Sequence, residues 1–68
     1  MERINQITKA FGKPISIRQG SQGEFYLSAE NKYNNSTIHL IAMLNKTELG
    51  IAYCDLTSDH VLVTFNNQ

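Results

Sequence analysis

The chain has 68 residues, six basic and six acidic side chains and a formal net charge of zero. That length supports one hydrophobic core, so residues 1–68 are expected to form a single domain. A neutral chain with 18% charged residues and no basic run argues against dedicated binding of duplex nucleic acid, which needs a basic face, and no apolar run approaches a membrane span.

Residues 2–11 place Ile4, Ile7, Ala10 and Phe11 on one stripe, the spacing of a short helix. Gly12 and then Pro14 should stop it. Ile15 and Ile17 alternate with Ser16 and Arg18, which predicts a half-buried strand. Gln19 to Gly23 has the composition of a turn. Phe25, Leu27 and Ala29 alternate with Glu24, Tyr26 and Ser28, completing a hairpin. Glu30 to Asn35 is polar and reads as a loop.

Residues 37–44, TIHLIAML, are the most apolar segment. Ile38, Leu40, Ala42 and Leu44 would share one face of a strand, with Ile41 and Met43 on the other. A strand apolar on both faces is central and covered twice. A helix is the alternative, with Ser36 as N-cap and Gly50 as stop. Strand is preferred because the segment runs into the turn-like Asn45-Lys46-Thr47-Glu48. Leu49 to Leu56 is a further strand, with small residues at Gly50, Ala52 and Cys54 where the N-terminal helix could approach. Thr57 to Asp59 is a turn. Val61, Val63 and Phe65 alternate with His60, Leu62 and Thr64 in the last strand.

The expected fold is α+β and mainly β: a short N-terminal helix, then about five antiparallel strands forming a small barrel or curved sheet. One short helix cannot shelter a two-faced strand. The sheet must therefore curl on itself or meet a second copy, and a homodimer or higher homo-oligomer is expected.

Residues 49–65, LGIAYCDLTSDHVLVTF, resemble the strand pair that opens the connector domain of MutS-type mismatch-repair proteins. Gly50, Ala52, Tyr53, Asp55, Leu56, Val63 and Thr64 carry the likeness, which covers about a quarter of the chain. The layout of one helix and five strands also resembles the Sm-like RNA-binding fold. Lys13 to Ile17, Gly23, Leu49-Gly50 and Val61-Leu62-Val63 fall where that pattern places such residues. This second resemblance implies a barrel that binds nucleic acid or nucleotide, with Asn34 or Asn35 near the family's loop Asn. Asp55-Leu56 stands where the family has a basic residue and Gly. Neither resemblance transfers a functional residue.

His39, Cys54 and His60 are the soft metal ligands, and their spacing makes no zinc pair. Asp55 and Asp59 have no neighbouring base or nucleophile to complete a catalytic set. Gly20 to Gly23 lacks the lysine and following helix of a phosphate loop. No catalytic, metal or cofactor residue is therefore assigned. Tyr26, Tyr33 and Tyr53 are the better candidates, because exposed tyrosines give rigid contact area, and Arg18 and Lys32 lie near Tyr26 and Tyr33 in sequence. The expected function is a small non-enzymatic binding module or inhibitor that engages a protein partner through Arg18, Tyr26, Lys32 and Tyr33. The alternative is an Sm-like or related nucleic-acid or nucleotide binder. One cysteine forms no internal disulfide, and Met1-Glu2-Arg3 leads into no apolar run, so a cytoplasmic location is expected.

Overall fold

The computed structural model describes residues 2–66. The chain runs α1 (Glu2–Phe11), β1 (Ile15–Gln19), β2 (Phe25–Ala29), a 3-10 turn (Lys32–Asn34), α2 (Asn35–Leu44), α3 (Lys46–Leu49), β3 (Ile51–Leu56) and β4 (Val61–Phe65). The four strands form one antiparallel sheet in the order β1-β2-β4-β3.

α1 forms where the apolar stripe predicts it. Ile4 and Ile7 are buried and Phe11 packs against the core. Gly12 then adopts φ 79°, which only glycine takes without strain, and its N–H closes on the Thr8 carbonyl at 2.9 Å. The hairpin β1–β2 pairs Ile15 with Ala29 and Gln19 with Phe25. Its turn is tied by the Gly20 N–H to the Glu24 carbonyl at 2.7 Å.

Residues 37–44 are helical, which corrects the expected strand. In a strand Ile38, Leu40, Ala42 and Leu44 would point one way. In α2 the four-residue repeat sends Ile38 and Ala42 into the core and leaves Leu40 and Leu44 exposed. Leu, Ala and Met are good helix formers, and no glycine or proline interrupts the run. Asn35 fixes where the helix starts. It is buried at 2% exposure, and its Oδ1 accepts the Ala29 N–H at 2.8 Å, pinning α2 to the end of β2. Asn34, not Ser36, takes the N-cap position. Asn45 to Glu48 is likewise no simple turn but leads into the single helical turn α3, which Gly50 ends at φ 68° as the alternative reading placed it.

Two further corrections follow. Among the described residues the sheet has four strands and not five, and it is open and not a closed barrel, so the barrel implied by the Sm-like resemblance is not formed. A register irregularity between Ile51 and Tyr53 breaks the alternation in β3. Ala52 is exposed there, so α1 does not pack on it, while Ile51 and Cys54 both turn to the core side. The expected β3–β4 hairpin forms, pairing Leu56 with Val61.

Both long helices lie on one face of the sheet. α2 packs on β2, β4 and β3 and against α1. Leu27, Ala29, Val61, Val63, Ile51 and Leu49 meet Ile4, Ile7, Ile38 and Ala42 in one core. The argument from a two-faced central strand to an oligomer loses its premise, since the second apolar side belongs to a helix. Among the described residues no helix is long and apolar enough to cross a membrane.

Candidate functional site

The helices leave the other face of the sheet uncovered. Strand alternation puts Arg18, Tyr26, Leu62 and Asp55 on that face, and register aligns them in one row across β1, β2, β4 and β3. Tyr53 and Thr64 are paired beside the row on the same face.

Tyr26 is the centre of a contact chain. The Arg18 guanidinium lies over its ring, 4.4 Å from the centroid. His60 meets the ring edge-on, with centroids 5.0 Å apart and planes at 78°. The Tyr26 hydroxyl donates to Glu24 Oε2 at 3.3 Å. Arg18 and Tyr26 are direct cross-strand partners, so the hairpin register itself brings them together. An exposed guanidinium–ring contact contributes about 0.5–1 kcal/mol, and here it also stiffens two long side chains.

His60 is held by the β3–β4 turn. The Thr57 hydroxyl donates to the His60 carbonyl at 3.0 Å and accepts the His60 N–H at 3.2 Å. The same turn carries Asp59, whose Oδ1 accepts from Lys32 Nζ at 3.3 Å. Both ends of that ion pair are exposed, so it aligns the two loops more than it stabilises the fold. Tyr33 follows Lys32 on the 3-10 turn, whose start is capped by Asn31 Oδ1 accepting the Tyr33 N–H at 3.1 Å. Tyr33 is 91% exposed.

Arg18, Tyr26 and Lys32 are thus linked along one strip, and Tyr33 follows Lys32 in the chain with its own side chain in solvent. Arg18 touches Tyr26, Tyr26 touches His60, Asp59 next to it holds Lys32, and Tyr33 adjoins Lys32. Sequence reasoning missed His60, Leu62 and Asp55 as members of this face, while Tyr53 was among the tyrosines it singled out and is 51% exposed. The β4 alternation was the available signal for His60 and Leu62. The irregularity at Ala52 hid Asp55.

Glu24 sits at the strip's turn end. The Gln22 N–H donates to its Oε1 at 2.8 Å. Backbone donors, with help from Tyr26 and Arg18, hold its carboxyl below the usual range. Cys54 lies on the opposite, core-facing side of β3. Burial pushes its thiol up, against a smaller opposing pull from Lys46. Among the described residues no three His, Cys, Asp or Glu side chains gather as a metal site would need. Clefts of about 380 and 450 Å³ beside α1 include none of the strip's residues, so this site is a surface and not a cavity. No protein-family model, curated protein or solved structure matches the chain.

Proposed function

We propose that the protein is a non-enzymatic binding module of the cytoplasm, and that its uncovered sheet face captures a protein partner, as a small inhibitor would. The observation that carries this reading is the Tyr26 cluster. A tyrosine braced by Arg18 and His60 at the centre of an open sheet face is a rigid, half-apolar anchor with polar rims. Tyr33, at 91% exposure, adds a second aromatic that little in the chain itself uses.

Charge separates this reading from nucleic-acid binding. Around Tyr26 the Arg18 cation faces the Glu24 carboxylate, and Lys32 is paired with Asp59. Asp55 at the end of the row adds a negative charge. Phosphate binding needs an excess of positive charge, which this face does not have. One face of the Tyr26 ring is also occupied by Arg18, where a stacked base would have to sit.

The test is comparative capture from cell extract with wild type, Arg18→Ala and Tyr33→Ala, each read by quantitative mass spectrometry. A specific protein enriched by wild type and lost from both variants, with circular dichroism unchanged, is the expected result. Equal recovery by all three overturns the site. Enrichment of RNA that falls steeply with salt replaces this reading with the nucleic-acid one.

A further inference from the structure

The two edges of the sheet are unlike. β1 is guarded: Lys13 and Pro14 precede it and Arg18 lies within it, the residues that blunt a strand edge. β3 is the other edge, and its only charge is Asp55. The irregularity at Ala52 disturbs its start but leaves Tyr53 to Leu56 in regular register with β4.

An apolar stripe flanks the same edge. α2 begins on β2 through Asn35 and runs through α3 into β3, so its C-terminal half overlies β3. α3 also packs against β3, which places the α2–α3 junction there too. Asn45 lines a cleft with Gln6, Ile7 and Ala10 of α1, so that flank of α2 faces α1. At 100° per residue, Met43 falls on the opposite flank, toward the open edge, with Leu40 beside it. Leu40 and Met43 are 56% and 42% exposed.

The geometry points to a second copy of this chain as the occupant: β3 pairs antiparallel with β3 of a twin, and the α2 stripes meet above the joined edge. A two-fold axis normal to the sheet keeps both helix layers on one side. Charge fits a twin. A pairing centred on Cys54 sets Asp55 against Tyr53 of the partner subunit, so the two carboxylates do not face each other, and the neutral chain does not repel its copy. Area fits as well. Leu40 and Met43 with the half-exposed Tyr53 and Leu56 leave on the order of 370 Å² open, nearly half of the roughly 800 Å² per partner of a standard interface before the β3 backbone itself is counted. The joined sheet carries two Tyr26 faces side by side, so a repetitive partner would bind with avidity. The pairing itself does not rest on the function proposed above.

Sedimentation of the full chain from micromolar to millimolar concentration, with hydrogen exchange at the β3 amides, tests it. The expected result is a dimer whose β3 amides gain protection as concentration rises. Leu40→Glu with Met43→Glu should weaken association by about tenfold or more and leave circular dichroism unchanged, because both side chains are exposed. Tyr33→Ala should leave association intact, which separates this surface from the Tyr26 face. A millimolar monomer overturns the proposal. So does a dimer that tolerates the double variant, or one whose β3 amides exchange at the monomer's rate.

Discussion

Single side chains set the details that make the face usable. Asn35 is the clearest case. Its Oδ1 satisfies a backbone N–H that is otherwise buried, while its Nδ2 is buried without a partner. Asn35→Ala orphans the Ala29 N–H, and the expected loss is about 1–3 kcal/mol in a urea titration. Glu24 works through protons. Its carboxyl titrates lower in the fold than in the open chain. It therefore adds stability above its unfolded-state value, and that stability is lost as pH falls through the folded value. Glu24→Gln should remove this component and flatten the acid limb of a stability–pH curve. Gly20→Ala should do the same by another route, since an added Cβ would land on the Glu24 carboxyl group and push it off the Gln22 N–H. Cys54 titrates high because it is desolvated. Folded protein should thus alkylate far more slowly at neutral pH than protein in denaturant, measured by mass shift with iodoacetamide.

At the level of elements, α2 decides what the molecule can present. Ile38→Ala should cost about 2–5 kcal/mol, as deletions in a packed core do, whereas Leu40→Ala should cost little because its side chain is mostly in water. A strand would put both residues on one face and make the two losses alike. The difference also marks how far the sequence could be read. α1, its glycine stop, the β1–β2 hairpin and β4 follow from local periodicity and turn chemistry, and all are present. TIHLIAML satisfies a period of two and a period near four equally well. What separates them is a tertiary bond, Asn35 to Ala29, that no local pattern encodes. The pairing of Arg18 with Tyr26 was legible once the hairpin was drawn, because they lie at equal distances from the turn. The approach of Lys32 to Asp59 spans 27 residues and depends on α2 folding back over the sheet, so it was not legible.

The whole molecule is a two-layer plate: helices and core on one side, a tyrosine-centred sheet face on the other. As a helix the apolar octet covers the Leu27 and Val61 side of the sheet and leaves the Tyr26 side as the open one. Net neutrality then shapes the encounter with a partner. Capture through this face should change little with salt, because the charges near Tyr26 are already offset within the protein. A titration of the captured partner across ionic strengths checks this, and a steep decline would point to a charged ligand instead. The division into two sides is tested most directly by through-space proton contacts in solution. The account predicts contacts from the Ile38 and Ala42 methyls to core valines and leucine of β2 and β4, and none to the Tyr26 ring. Strong contacts between α2 methyls and that ring would contradict it, because the helix would then be lying on the face assigned to the partner.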